Sequence, residues 1–500
     1  MSGIGRFTGC DLGGIMPLFT PWKDNCGLAQ PVFTREAALL SFELASSAYD
    51  MDIDAWREAG WRDFSFQVDN KLLTGQNVNA APGGGLSAMV SDYFHFLARA
   101  RLKRVNPISQ LRGALRQREG SDTCKAVVML RPLAEGVRQY VVAIGFMGTG
   151  KRIYDWFSNF RLNREEGMHA GFLQLTREFE KNADEICFPE TARELNLPKL
   201  TLSDILAECR RPGSRFRLWM AGHSQGGAVM QLFAYREIRR GFLRQNMMGC
   251  GFASPSAVYA RLDCDAGAFP LLHILNADDI FPRMGAAAHI GRCRVMYPDR
   301  AMRNACYQAA WQDDLFRAVH RLMRSVTDSA GAFLLVWAML RALEDVPVDS
   351  AMAALNALAG SLVPEKLLGA LGGRREDILQ ALYRRVAQGY RTATEGGEPP
   401  EETLNVLRGR VAALILRYGG ARFVKTALSC LGVSHKLRGE ALRQGVAPYQ
   451  YIVTRRFDDL RQRLWMPPVS AMENAEGRGP RRLTGGRYAR LSEEKKRRTR

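Results

Sequence analysis

Apolar and polar positions in the central part of the chain alternate between short β-branched runs and longer stretches with a helical period. Cys124–Leu130 and Gln139–Phe146 are two β-branched runs joined by a glycine-containing turn, which predicts a β-hairpin. Further strands are predicted at Trp61–Val68, Phe216–Met220, Leu271–Leu275 and Cys293–Tyr297. Helices are predicted at Thr34–Tyr49, Ala88–Leu111, Asp155–Phe160, Ala170–Ile186, Leu202–Cys209 and Ala228–Arg239. Strands that alternate with helices indicate an α/β fold, with a mostly parallel sheet covered on both faces.

The pattern changes after about residue 299. Residues 302–430 are rich in helix formers and carry few strand signals. We therefore predict an all-helical region there, as an insertion into the α/β fold or as a second domain.

Composition sets broad limits on the kind of protein. Of the 500 residues 46% are apolar and 24% are charged, which is ordinary globular usage and predicts a sizeable core. The ten cysteines show no C-x-x-C pair and no metal-ligand spacing, so we expect reduced thiols, no metal and no cofactor. The longest apolar run, Ala330–Leu340, is shorter than the ~20 residues of a membrane-spanning helix. With no signal-peptide pattern at the start, we expect a cytoplasmic protein.

The formal net charge of +19 is concentrated partly in a basic tail. Arg478–Arg500 holds ten Lys or Arg residues, two Glu and few apolar residues, which predicts disorder. We favour a solvated solubility tail, and the alternative is peripheral contact with an anionic membrane or another anionic partner. No zinc-finger or aromatic RNA-binding pattern occurs elsewhere, so no specific nucleic-acid binding is expected.

A possible nucleophile lies in the glycine-rich stretch Gly222–Gly227, which reads Gly-His-Ser-Gln-Gly-Gly. An apolar strand precedes it and an apolar helix follows it. A strand–Gly-x-Ser-x-Gly–helix turn exposes the serine, and the start of the helix directs N–H groups toward the reacting oxygen. Because the motif alone is short, a glycine-rich turn with a buried serine is the alternative. The context favours Ser224 as a nucleophile.

Six blocks in order make the chain resemble the class 3 (fungal-type) lipases of the α/β-hydrolase superfamily. The blocks are Val141–Thr149, Asp155–Phe160, His169–Phe172, Gly222–Gly227, Gly251–Pro255 and Asn276–Arg283. Two positions depart from the family pattern, since Met147 stands in place of Arg and Gln225 in place of Leu. The resemblance implies an α/β-hydrolase-like sheet and a catalytic triad.

The acid of such a triad follows the serine and lies after a later strand. Leu271–Leu275 is that strand, and the resemblance implies Asp279, which stands directly before Ile-Phe-Pro. The neighbouring Asp278 is the rival. The acid would orient the imidazole and stabilise its positive form.

The histidine is the least determined member. In the family it lies near the end of the chain, before a short helix with a tyrosine, and His435 followed by Tyr449 fits this best. His320, within a helical pattern, is the second candidate. His289 is the third, in a block that resembles a His-Val-Gly sequence generally not catalytic in the family.

The resemblance also implies the remaining parts of the site. The backbone N–H groups of Thr149 and Gln225 should form the oxyanion hole. Residues 150–168 resemble the family's lid, although an ordinary amphipathic helix explains their pattern equally well.

These features imply a serine hydrolase of carboxylic esters, a lipase or esterase that acts on acylglycerols or other lipid esters through an acyl-enzyme on Ser224. The alternatives are a phospholipase or acyltransferase with the same site, or an inactive hydrolase scaffold that binds membranes or anionic partners through its basic tail. We divide the chain into an N-terminal region packing on the core (1–120), an α/β-hydrolase lipase core (121–300), a helical insertion or cap (301–425), a returning segment with His435 (426–466) and a disordered basic tail (467–500).

Overall fold

An eight-stranded mixed sheet forms the centre of the protein. The computed structural model describes residues 35–48, 53–68, 71–74, 124–133, 138–148, 164–259, 269–276, 279–283, 288–296, 307–326, 329–362, 375–394 and 396–435. The strands are β1 (Arg62–Val68), β2 (Lys71–Thr74), β3 (Ala126–Pro132), β4 (Tyr140–Phe146), β5 (Arg164–Glu165), β6 (Met168–His169), β7 (Phe216–His223), β8 (Met247–Phe252), β9 (Leu271–Asn276) and β10 (Arg292–Met296). Strands β5 and β6 form a separate small hairpin.

The strand order in the large sheet is β10-β9-β8-β7-β4-β3-β1-β2. The five strands from β10 to β4 run parallel, and β3, β1 and β2 continue the sheet in antiparallel pairs. The predicted hairpin is confirmed, since β3 pairs with β4 in the register Ala126 to Phe146. A mostly parallel sheet flanked by helices confirms the α/β-hydrolase-like fold class.

The described residues form twelve α-helices. They are α1 (Arg35–Ser47), α2 (Ile53–Glu58), α3 (Ala170–Lys181), α4 (Pro189–Glu194), α5 (Leu202–Glu208), α6 (Gln225–Arg239), α7 (Asp314–Ser325), α8 (Ser329–Ala342), α9 (Val348–Leu362), α10 (Arg375–Ala393), α11 (Glu401–Tyr418) and α12 (Gly420–His435). Each helix predicted within the described residues is present. The predicted helices at 88–111 and 155–160 and the basic tail lie outside the described residues.

The sheet buries a different set of side chains on each face. We call one the nucleophile face, where α3, α5 and α6 pack on Val142, Ile144, Phe146, Leu218 and Met220. We call the other the aromatic face, where α1 and α2 pack on Val141, Ala143, Trp219, Ala221 and Phe252. Successive residues of each strand alternate between the two faces, as the period of two in a strand requires.

The C-terminal helices join the aromatic face. Leu315 and Phe316 of α7, Val411 of α11 and Phe423 of α12 belong to the same buried cluster as Trp219. The prediction of an all-helical region is confirmed from α7 to α12, while its role as an insertion or cap stays a prediction. Within the described ranges, none of the helices combines the length and the apolar character needed to cross a bilayer.

Candidate active site

Ser224 alone joins β7 to α6. The strand runs through His223 and the helix begins at Gln225, so the turn is shorter than the six residues predicted from sequence. Ser224 has φ 54° and ψ −128°, a conformation that L-residues seldom adopt. Its N–H donates to the carbonyl of Phe252 at 2.9 Å, which ties the turn to the end of β8. Strain of this kind persists only where surrounding contacts hold it, and it is concentrated at functional sites.

Two glycines of the motif let α6 approach the sheet closely. A Cβ on Gly226 would lie 2.2 Å from the carbonyl oxygen of Phe146, and one on Gly222 would lie 2.5 Å from the backbone of Gly226. No side chain fits at either position. The first turn of α6 therefore rests directly on the carboxyl ends of β4 and β7.

The strand register places the segments that follow β4, β7 and β8 at one edge of the sheet. Phe146 on β4 pairs with Gly222, and His223 pairs with Phe252 on β8. The residues that follow β4, β7 and β8 are therefore neighbours, as expected for the ligand-binding edge of a parallel sheet. Gln225 is buried in the first turn of α6 at this edge. The other predicted oxyanion residue, Thr149, lies just outside the described residues.

Asp279 follows β9 on the same side of the sheet. Its side chain is fully buried, and its Oδ1 accepts a hydrogen bond from the N–H of Phe281 at 3.0 Å. This bond fixes the carboxylate relative to the turn after the strand. The rival acid Asp278 lies outside the described residues.

Among the described residues, His169, His273 and His289 each form a hydrogen bond to the backbone. His169 caps α3, where its Nδ1 accepts from the N–H of Phe172 at 3.4 Å. The Nε2 of His273 donates to the carbonyl of Ile290 at 2.9 Å, and the Nε2 of His289 donates to the carbonyl of Ser254 at 2.7 Å. Because the Nε2 of His289 is bonded to a carbonyl, this atom is not available as a base. This agrees with the place of His289 as the third candidate for the catalytic histidine.

Burial keeps the rings of His273 and His289 neutral. It lowers the pKa of His273 to about 3, with a smaller contribution from the charge of His289, and lowers the pKa of His289 to about 4. A base that must accept a proton near neutral pH needs a pKa closer to 7. Neither ring meets that need.

The two leading histidine candidates lie on C-terminal helices. His320 is buried on α7, with its ring 5.1 Å from that of Trp311 and 5.5 Å from that of Tyr307. His435 is the last residue of α12. His95, the remaining histidine upstream of the serine, and most of the lid region 150–168 lie outside the described residues.

Two of the described cysteines, Cys209 and Cys250, are deeply buried thiols. Burial raises the pKa of the Cys209 thiol to about 12 and raises that of Cys250 further, so both stay protonated and unreactive. Across these same described ranges, no three His, Cys, Asp or Glu side chains gather as metal ligands. Ser224, in the strained turn between β7 and α6, stays the predicted nucleophile.

A mostly parallel sheet with a strained serine between a strand and a helix defines a protein of the α/β-hydrolase class. Residues 143–288 match the model of the family described as lipase (class 3). The match lies over the central region that carries the motif blocks and confirms their resemblance to the class 3 lipases. No curated protein matches the sequence.

Several fungal lipases of known structure match part of this chain. The Rhizomucor miehei lipase propeptide complex is 16% identical, with 35% of this chain and 52% of that chain covered and a TM-score of 0.24. A lipase from Rhizopus microsporus var. chinensis is 16% identical, with 35% and 57% covered and a TM-score of 0.25. Lipase II from Rhizopus niveus is 14% identical, with 35% and 61% covered and a TM-score of 0.24. This chain thus spans 52% to 61% of the length of these three structures.

Proposed function

We propose that the protein is a serine hydrolase of carboxylic esters and that its natural substrates are lipid esters. The observation that carries this proposal is the strained Ser224 between β7 and α6, at the carboxyl edge of the parallel strands. A merely structural serine gains nothing from this costly backbone conformation, whereas a nucleophile gains the positive end of a helix. Ser224 is 7% exposed among the described residues, so the proposal rests on its backbone geometry and its place at this edge, not on its exposure. The family match over residues 143–288 supports a lipid ester as the substrate class.

The reaction proceeds through an acyl-enzyme. The Ser224 oxygen attacks the ester carbonyl carbon while its proton passes to the imidazole, and a tetrahedral intermediate forms. Its oxyanion is stabilised by the N–H of Gln225 in the first turn of α6 and by the N–H of Thr149 after β4. The C–O bond then breaks, the imidazole protonates the leaving alcohol, and water hydrolyses the acyl-serine by the same steps in reverse.

Asp279 is the proposed acid and His435 the proposed base. The buried carboxylate, held by the Phe281 N–H, would keep the imidazole in one tautomer and stabilise its charged form. His320 is the alternative base, because α7 belongs to the same buried cluster as Ile280, the neighbour of Asp279. Replacing each histidine in turn distinguishes them.

A fluorophosphonate probe tests the mechanism directly, since it labels only an activated serine. We expect the wild-type chain to be labelled, Ser224→Ala to be unlabelled and Asp279→Asn to react at least ~100-fold more slowly. His435→Ala should lose labelling to a similar degree while His320→Ala keeps it. Labelling that survives Ser224→Ala, or an unreactive wild-type protein, would rule the proposal out.

Two further properties belong to the proposal. None of the six described cysteines is in a disulfide, which fits a cytoplasmic location. The basic tail would add weak contact with an anionic membrane. Flotation with phosphatidylserine vesicles at low and high salt, with and without residues 478–500, tests that contact. Binding that ignores salt and the deletion would exclude it.

A further inference from the structure

A cluster of polar side chains is buried beneath α6, on the nucleophile face. We call it the α6 polar cluster and define it as Gln231, Ser254, His273 and His289. Each of the four side chains is at most 6% exposed. Buried polar groups are costly unless they are hydrogen-bonded, so a concentration of them beside a reactive serine calls for a physical reason.

The cluster links three segments that are distant in sequence. Gln231 on α6 donates from Nε2 to the carbonyl of Pro255 at 3.0 Å and accepts at Oε1 from the N–H of Ile290 at 3.0 Å. His289 donates from Nε2 to the carbonyl of Ser254 at 2.7 Å. Helix α6, the turn after β8 and the segment before β10 are therefore bonded to one another below the nucleophile.

Two glycines leave room for the cluster. A Cβ on Gly227 would lie 2.0 Å from the Ser254 hydroxyl oxygen, and one on Gly251 would lie 2.4 Å from that oxygen and 2.5 Å from Nδ1 of His273. The Ser254 hydroxyl therefore fills the space between α6 and β8 that any side chain at these glycines would occupy. Its oxygen and Nδ1 of His273 have no hydrogen-bond partner among the described atoms, and their common approach to Gly251 brings them close to each other.

The same turn carries a second strained residue. Ala253 has φ 50°, directly after Phe252, whose carbonyl accepts from the Ser224 N–H at 2.9 Å. The N–H of Ala253 donates to Ile274 on β9 at 3.0 Å. The turn whose carbonyl accepts from Ser224 is thus strained itself at Ala253. The carbonyl of the next residue, Ser254, is held by His289.

We propose that His289 is a positioning residue, whose bond to the Ser254 carbonyl fixes the turn after β8 and through it the backbone of Ser224. The inference rests on the proposed function and extends it to a residue outside the triad and the oxyanion hole. The bond requires the ring proton on Nε2, because a carbonyl only accepts. Burial lowers the pKa of His289 to about 4, so near neutral pH the ring is neutral and carries that single proton on Nε2.

The experiment compares His289→Ala, His289→Gln and His289→Asn in the full-length chain. A glutamine amide reaches the position of Nε2 and donates to the Ser254 carbonyl, whereas an asparagine amide is too short. We measure kcat and KM with p-nitrophenyl butyrate, together with the fluorophosphonate labelling rate per folded molecule. Thr201→Val is the matched control, because it removes the capping box of α5 away from the site and costs stability without touching the cluster.

We expect His289→Ala and His289→Asn to lower kcat and the labelling rate about 10- to 100-fold with KM changed less than about twofold, since a small misplacement of a nucleophile has that effect. His289→Gln should recover to within about threefold of wild type. If all three match Thr201→Val per folded molecule, His289 is only structural and the inference fails. If His289→Ala does not fold, the glutamine and asparagine variants decide by the same criterion. An unlabelled wild-type protein would instead contradict the proposed function itself.

Discussion

The two faces of the sheet are stabilised in different ways. The aromatic face is filled by large rings, with Phe42 edge-on to Phe252 at 5.2 Å and Trp61 tilted against Trp219 at 5.8 Å. The nucleophile face also buries large rings, such as Phe146 edge-on to Phe179 at 4.9 Å, but around α6 it adds close-packed glycines, a buried glutamine and two buried imidazoles. Burial of rings is non-directional and gives stability, whereas close backbone contacts and hydrogen bonds define positions. The comparison suggests that stability and catalytic geometry are separable in this protein, and each prediction below tests that separation.

The largest effect is expected from Gly226→Ala on the nucleophile face. The new Cβ would meet the backbone of Phe146 and Met147 at 2.2–2.8 Å, and backbone atoms there have no room to move away. We expect at least ~100-fold slower fluorophosphonate labelling and a loss of about 3 kcal/mol or more in the free energy of unfolding. Gly409→Ala on α11 is the control. Nothing lies within 4 Å of its added Cβ, so it should leave activity unchanged and stabilise the helix by about 0.5–1 kcal/mol.

Trp61→Ala tests the aromatic face. Trp61 is 1% exposed and also packs edge-on to Trp56 at 5.7 Å. Its removal should lower the free energy of unfolding in urea by about 3–5 kcal/mol, as for other large-to-small core changes. The labelling rate per folded molecule should stay within about twofold of wild type. A labelling defect as large as that of Gly226→Ala would show that the two faces are not separable.

Acid should lower the free energy of unfolding through the two buried histidines of the nucleophile face. His273 and His289 have pKa values lowered to about 3 and about 4, below the ordinary value of 6.5. Below about pH 6.5 the two histidines bind more protons in the unfolded chain than in the folded one. The stability that depends on their neutral rings is therefore complete above about pH 6.5 and is lost as the pH falls toward 4 and 3. Urea unfolding at pH 7.5 and 4.5 should differ by a few kcal/mol, on the order of the shifts themselves. His289→Gln should reduce that difference, and an unchanged difference would contradict the assignment to these rings.

Alkali should lower the free energy of unfolding through Glu43 on α1, which packs on the aromatic face. This effect should be smaller than that of acid on the histidines. Burial raises the pKa of Glu43 on α1 to about 7 from 4.5. The folded state holds this proton more tightly than the unfolded state, so the contribution is present below about pH 4.5 and is lost as the pH rises through 7. At pH 5 the free energy of unfolding of Glu43→Gln should match that of the wild type. At pH 9 it should be higher by about 1–3 kcal/mol at most, with a correspondingly higher Tm. Equal Tm values at pH 9 would mean that the carboxyl is well solvated.

Six of the eight strands of the large sheet were predicted from sequence, and of the two that were missed, β2 and β8, the second is informative. Continuous apolar runs identified β4, β7 and β9, because a parallel strand is buried on both faces. Strand β8 was missed, since Gly249 and Gly251 weaken any strand signal. The reason for both glycines is tertiary: a Cβ on Gly249 would lie 2.4 Å from Leu271, and one on Gly251 would meet Ser254 and His273. No local pattern reports contacts of that kind.

The candidate site was predictable only as far as it is local. The turn at Ser224 and the position of Asp279 after β9 follow from short motifs next to strands. The α6 polar cluster was not found, because the carbonyl partners of His273 and His289 are 17 and 35 residues away in the sequence. A similar long-range contact caps α4, where the carboxylate of Asp63 accepts from the N–H of Glu190 at 2.9 Å and the hydroxyl of Thr191 at 2.7 Å. Asp63 is 127 residues from Glu190, so sequence patterns cannot report this cap.

The strand order has a consequence for synthesis on the ribosome. Strands β2, β1, β3 and β4 form an antiparallel unit that is complete once residue 146 has emerged. The free edge of β4 is covered only by β7, which begins at residue 216. An apolar strand with open backbone groups is a template for other chains during that interval. Nascent chains of this protein should therefore depend most on chaperones while residues 147–215 are being translated.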